Sequence, residues 1–237
     1  MILIFTLGSL LIPYYQKQSP IKKKFILMPG KSWFYIMFKT LLIFLSFSTL
    51  FAKIPQKCLN DCTTSYGKVL GKSDDNTIAY SNCSSDCVYF SPNKYLGTYT
   101  GIKWQCVEYA RRWLLKNKRV VYGDVDYASD IWKLSFVTNP KGKKFNFTTH
   151  LNGTNKAPEI GNLLIYSNEF LGTGHVAVIT GINIKKGFVL LSEQNYDNTE
   201  WQGNFARKVD IIVKNKQYWI LDSYLLGWKR VEKKSKL

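Results

Sequence analysis

The sequence predicts a chain that mixes a helix with antiparallel β-structure, preceded by an apolar leader. Three observations carry this reading. In the stretch GIKWQCVEYARRWLLKN, residues 101–117, Val107, Ala110, Trp113 and Leu114 fall on one helical stripe, and Glu108, Arg111, Arg112 and Lys116 fall on the other. GHVAVITGI, opened by Gly174 and His175, and GFVLLSEQN read as two strands joined through NIKK. YGKVLG and TIAYS read as a second, shorter hairpin around KSDDN. At 237 residues the chain is long enough for one well-buried domain plus an N-terminal extension.

The leader comes first along the chain. Residues 1–12 are apolar and are followed by Lys22, Lys23 and Lys24. A second apolar run, 38–52, has Lys39 ahead of Leu41–Phe51 and closes on Ala52. A basic start, an apolar centre and a small final residue make the pattern of a secretory signal peptide. Met37 stands directly before it, so residues 1–36 read as an over-extended start. The alternative is an uncleaved anchor across 33–52, close to the minimum spanning length. Leu50, large for the third position before a cut, keeps that alternative open.

Charge is strongly positive, +17 in all, of which the six lysines of residues 1–52, a stretch without acids, supply about a third. The remainder favours acidic partners such as anionic cell-wall polymers or membranes. A solvated lysine-rich surface is the plainer alternative. Nucleic acid is not expected, because no finger, RNP or helix-turn-helix pattern occurs. Three sequons, at Asn82, Asn146 and Asn152, are candidates for glycosylation in a eukaryotic secretory pathway.

Four cysteines form twin CxxxC patterns, Cys58 with Cys62 and Cys83 with Cys87. In an oxidising compartment they read as two disulfides, and the hairpin between the pairs favours bridges across it over bridges within each CxxxC. A tetrahedral zinc site is the alternative. The arithmetic leaves Cys106 unpaired, at the mouth of the predicted helix. Partial positive charge and unpaired N–H groups at a helix start ease ionisation of a thiol, and the thiolate is the nucleophile.

A thiol nucleophile needs a base, and the base needs an orienting group. Only His150 and His175 are available. His150 lies in the polar stretch HLNGTNKAP, which reads as an exposed loop. His175 opens the first strand of the longer hairpin. A five-residue loop, 182–186, pairs Gly181 with Gly187 and brings His175 opposite Glu193, with Asn195 on the same face. A four-residue loop would break this match. Gln105 is a candidate oxyanion donor through its side chain or the nearby backbone N–H groups.

WQCVEYARR, GNLLIYS, GTGHVAVITGI, SEQN and LLGWKRV, in this order, resemble the CHAP superfamily of cysteine, histidine-dependent amidohydrolases/peptidases. Within it they look most like the amidase domains of glutathionylspermidine synthetase/amidase and trypanothione synthetase. The resemblance implies a papain-like α+β fold, with the Cys-bearing helix packed on an antiparallel β-sheet, and amide hydrolysis through a thioester acyl-enzyme without a cofactor or metal. It implies Cys106 as nucleophile, His175 as base, Glu193 as orienting acid, Arg111 as a ligand for a substrate carboxylate, and Gln105 and Asn195 as supporting neighbours. The domain would span 66–231, after a signal peptide or anchor (1–52) and a Cys-containing lead-in (53–65), with a basic tail at 232–237. No phosphate-binding loop occurs, so synthesis of a conjugate is not expected. The expected substrate is a small amide conjugate or a cell-wall peptide. The expected location is the secretory pathway, with the protein secreted or lysosomal/vacuolar, or membrane-anchored if the leader is uncleaved. A binding module that kept the fold without turnover, and an anchored structural protein, are the alternatives.

Overall fold

The computed structural model describes residues 53–232. The leader at 1–52, with its Met37 start and its signal-or-anchor alternatives, and the tail beyond residue 232 lie outside the described residues. Two small antiparallel sheets come first, β1 (Val69–Lys72) with β2 (Ile78–Tyr80), and β3 (Pro92–Tyr95) with β4 (Thr98–Ile102). Helix α1 (Cys106–Lys118) follows, and then a 3-10 segment at Ala128–Lys133. The remaining strands are β5 (Phe136–Thr138), β6 (Lys144–Leu151), β7 (Leu163–Tyr166), β8 (Val176–Asn183), β9 (Phe188–Ser192), β10 (Arg207–Lys214), β11 (Gln217–Ile220) and β12 (Leu225–Val231). They make one antiparallel sheet in the order β11-β10-β9-β8-β7-β12-β6-β5.

The α+β expectation of a papain-like helix-on-sheet arrangement is therefore corrected. The chain is mostly β, and α1, of 13 residues, is the one α-helix among the described residues. The reason lies in segments such as FNFTTHL, RKVDIIVK, QYWI and LLGWKRV. Their β-branched and aromatic residues suit a pleated surface, and they supply strands on both sides of the hairpin. No helix of the described residues is long and apolar enough to cross a membrane.

The centre of the sheet is buried on both faces, as the unbroken apolar run of β7 requires. Leu163, Ile165, Val176 and Val178 share a core cluster with Tyr109, Ala110, Trp113 and Leu114 of α1. Leu164, Tyr166, Ala177 and Ile179 join Val209, Ile211, Ile220 and Trp228 in a second cluster. Burying one Val, Leu or Ile side chain stabilises the fold by roughly 1.5–3 kcal/mol. These strands are accordingly the rigid frame for whatever projects from their ends.

The longer hairpin does not have the expected register. Asn183 pairs with Phe188 across a four-residue turn, 184–187, and not Gly181 with Gly187. That pairing alone would put His175 and Glu193 on opposite faces. A bulge intervenes: Ile182 faces Val189 and Gly181 faces Leu190, yet Ile179 faces Leu191, so Thr180 is an extra residue on β8. The one-residue slip restores the parity, and His175 and Glu193 return to one face.

The polar stripe of α1 is also not a solvated one. Glu108, Arg111 and Arg112 are buried. Glu108 accepts from Asn93, Thr100, Gln194 and the Arg112 fork, which satisfies a charge that would otherwise be strongly destabilising in the core.

Candidate active site

Cys106 is the first residue of α1, after the N-cap Gln105, and it is the one free cysteine among the described residues. Its side chain is largely buried, at 8% exposure. The first-turn N–H groups have no intrahelical acceptor, so they are available to an anion formed at this point.

His175 stands immediately before β8 and is 1% exposed. Its Nε2 is 2.7 Å from Glu193 Oε2. Cys106 acts on the same ring through its charge and hydrogen-bonding capacity, and with Nε2 committed to Glu193 the nitrogen left for it is Nδ1. Burial alone would lower the imidazole pKa. The charge and hydrogen bond of Cys106, with those of Glu193, outweigh it and raise His175 to about 9. Burial likewise opposes ionisation of Glu193, but the His175 hydrogen bond and the Arg207 charge hold it down at about 2. Both shifts favour an imidazolium beside a carboxylate.

Behind this row stand residues the sequence reading did not single out. Arg207, at the start of β10, donates to Glu193 from Nε at 2.5 Å and from Nη2 at 3.3 Å. Asp222 and Tyr166 hold the far side of the same guanidinium. Arg207 shares the inward parity of Val209 and Ile211. An arginine at an inward strand position was the available signal, once β10 is recognised.

A second polar network is built on Gln105, the residue before Cys106. Asn195 Nδ2 donates to Gln105 Oε1 at 2.8 Å. Gln105 Nε2 donates to the Cys87 carbonyl at 3.1 Å and to Asn82 Oδ1 at 3.4 Å. Asn82 Nδ2 donates to Cys87 O and to Asn195 Oδ1. The side chain of Gln105 is thus occupied at both ends, which leaves the backbone N–H groups of the first turn as the unoccupied donors.

The remaining residues fall as follows. Arg111 is buried, donates from Nη1 to Asp124 at 2.8 Å, and carries a buried Nε without an acceptor. His150 is not on a loop: it lies within β6, hydrogen-bonds Thr148 and packs near Trp228. Cys58 bonds Cys87 and Cys62 bonds Cys83, across the β1–β2 hairpin, so the four-cysteine zinc alternative is displaced. Among the described residues no group of three or more His, Cys, Asp or Glu side chains is placed to hold a metal ion. Of the sequons, Asn82 is fully buried with its amide nitrogen tied to two carbonyls and Asn195, so it has no room for a glycan in the folded chain. The Asn152 amide pairs with the backbone of Ile220 on both sides. Asn146 is exposed on β6.

Comparison with known proteins gives a consistent picture. Residues 97–195 match the CHAP domain family. The chain is 33% identical over 161 residues to the trypanothione synthetase of Crithidia fasciculata, covering 66% of this chain and 24% of that protein. It is 34% identical over 182 residues to the bifunctional glutathionylspermidine synthetase/amidase of Escherichia coli (strain K12), covering 69% and 29%. It is 29% identical over 140 residues to a Crithidia fasciculata glutathionylspermidine synthase, covering 56% and 19%. The chain thus spans less than a third of the length of these curated relatives. At family level the comparisons support a cysteine/histidine amidohydrolase.

Proposed function

This chain carries a CHAP domain, and from that premise we propose that it is a cysteine amidase that cleaves an amide through a thioester on Cys106. The single observation that carries the reading is the buried row Cys106–His175–Glu193, in which the His175–Glu193 hydrogen bond is 2.7 Å long. The Cys106 thiolate attacks the amide carbonyl. The N–H groups of the first turn of α1 receive the developing oxyanion. His175 donates its Nδ1 proton to the departing amine, and the acyl group stays on sulfur. The neutral imidazole then takes a proton from water, hydroxide attacks the thioester, and the thiolate–imidazolium pair returns. Glu193 holds the ring in place and stabilises its charged form. Arg111, whose Nη1 is paired with the exposed Asp124, is the proposed ligand for a substrate carboxylate, which would displace Asp124 from it.

The relatives point to a glutathione–polyamine conjugate as the substrate class. The net charge of +11 outside residues 1–52 favours an anionic cell-wall peptide as the second candidate. Turnover of glutathionylspermidine and of muropeptides is to be assayed side by side with the same preparation. Cys106→Ala abolishes hydrolysis, and iodoacetamide labels Cys106 alone. Full hydrolysis by Cys106→Ala would end the proposal.

The two disulfides fit an oxidising compartment, and the signal peptide at residues 38–52 remains our proposal for how the chain reaches it. N-terminal sequencing of the native protein separates cleavage after Ala52 from an intact anchor.

A further inference from the structure

We infer that Arg207 is the positioning residue of this site: its guanidinium clamps the Glu193 carboxylate and through it fixes the His175 ring toward Cys106. The inference rests on the reading of Cys106, His175 and Glu193 given above.

The geometry is that of a fork gripping a carboxylate. Nε donates to Oε1 at 2.5 Å and Nη2 to Oε2 at 3.3 Å, while the same Oε2 meets His175 Nε2 at 2.7 Å. Rotation of the carboxylate would break all three contacts together. The clamp is itself held. Nη1 donates to Asp222 Oδ2 at 3.0 Å, Nη2 to Tyr166 Oη at 3.1 Å, and Tyr166 Oη donates to Asp222 Oδ2 at 2.7 Å. The ring of Tyr196 lies 3.8 Å from the guanidinium carbon and is stacked in turn on Phe170, at 5° between planes. Phe170 and Tyr196 also flank the His175 ring at 6.0 and 5.3 Å. An aromatic layer therefore covers the row of polar groups, and inside such a layer a charge-assisted fork is stronger than at a wet surface.

A lysine could not do the same. It is a point charge that cannot hold both carboxylate oxygens in one plane. The alternative is that Arg207 merely ties β10 to β9, since it also pairs with Leu191 in the ladder. Kinetics separates the two. A tie between strands affects melting. A clamp on Glu193 affects the protonation state in which Cys106 reacts. The titratable and charged groups around Glu193 are His175 just before β8, Arg207 on β10, Tyr166 on β7, Asp222 after β11 and Tyr196 after β9, with Cys106 on α1 acting on His175 and Asp197 on Tyr196. Without Arg207, burial raises the Glu193 carboxyl. It then takes up a proton at a higher pH and stops supporting the imidazolium.

The test uses the full chain with Arg207→Met, Arg207→Lys, Glu193→Gln and the Glu193→Gln/Arg207→Met double variant. Two quantities are read: amide turnover, and the pH profile of Cys106 alkylation by iodoacetamide. Arg207→Met should lower kcat by roughly 10–100-fold with little change in KM, and move the acid limb of alkylation upward by about one pH unit or more. Arg207→Lys should recover part of the limb. The double variant should be no slower than Glu193→Gln, because the clamp acts only through that carboxylate. If Arg207→Met fails to fold, Asp222→Asn loosens the guanidinium while leaving the fork in place, and should shift the limb in the same direction by less. An alkylation profile of the folded variant that superimposes on the wild type would overturn the inference. So would losses that multiply in the double variant. Wild-type turnover and alkylation by Glu193→Gln would instead overturn the catalytic reading on which the clamp rests.

Discussion

Removing the outer disulfide tests how the staple on the first hairpin serves the site. The two bridges are nested: Cys58–Cys87 spans 29 residues and encloses Cys62–Cys83, which spans 21. In the chain-entropy picture a lone loop of that size stabilises the fold by roughly 3.5 kcal/mol. With the inner bridge intact, the outer one closes only the four-residue spacings Cys58–Cys62 and Cys83–Cys87, a ring of about eight residues. Its increment falls to roughly 2.5 kcal/mol. Cys58→Ser/Cys87→Ser should therefore lower Tm by roughly 5–10 °C, and removal of all four cysteines by roughly twice that or more. The effect should also reach the chemistry. The Cys87 carbonyl accepts from Asn82 at 2.7 Å and from Gln105 at 3.1 Å, and both lie in the network beside Cys106. At 25 °C, where the variant is still folded, kcat/KM should fall by about 10-fold. Differential scanning calorimetry and steady-state kinetics on one preparation give both values. An unchanged Tm refutes the nested-loop reasoning. A lowered Tm with wild-type kcat/KM refutes the link from the staple to the site.

Three further outcomes are expected. His175 is raised from 6.5 to about 9, so its paired, charged form contributes on the order of 3 kcal/mol that is fully present below pH 6.5 and is lost as the pH rises through about 9. Urea denaturation at pH 6 and pH 10 should show that loss, and turnover should decline over the same alkaline range; a His175→Gln variant that keeps the stability difference would contradict the assignment. Deletion of Thr180 should remove the β8 bulge, turn His175 away from Glu193 and lower turnover by at least about 10³-fold, whereas Thr180→Val, which keeps the residue count, should remain active. In a eukaryotic secretory host, peptide mapping should find a glycan at Asn146 and none at Asn82, whose burial leaves no room; a folded, active chain glycosylated at Asn82 would contradict the packing around it.

Why the meeting of Cys106, His175 and Glu193 was legible in the sequence while much of their setting was not follows from where the information sits. Cys106 was singled out by local signals, a thiol at a helix start left over after two CxxxC pairs. His175 and Glu193 were drawn together by strand alternation, which depends on parity alone. Their register was misread, because a bulge such as Thr180 leaves no mark in an alternating run. The misplaced turn shifts the pairing by three residues and the bulge shifts it back by one, so parity is kept and the expected meeting of side chains survives the wrong pairing. The buried charges show a different failure. Glu108 and Arg112 fall on the polar stripe of a helical wheel, and what covers them is Asn93 and Thr100 of the preceding β3–β4 hairpin and Gln194 from beyond β9. Arg207 escaped for a similar reason, since it acts through contacts with Tyr166, Glu193 and Asp222, and Asn82 was legible only as a sequon, because its link to Asn195 spans much of the chain. The underestimate of β-structure came from reading strands only in two hairpins, although further β-branched and aromatic runs after residue 135 carry the same signal.

The proposed hydrolysis passes through a covalent acyl group at Cys106. Rapid acid quench of the enzyme with an amide substrate, followed by intact-mass and peptide mapping, measures that group directly. A single adduct with the mass of the acyl fragment is expected on the peptide bearing Cys106, formed within the first turnover and absent from Cys106→Ala. Steady hydrolysis with no adduct on Cys106 at any quench time, and with Cys106→Ala as fast as the wild type, would contradict it.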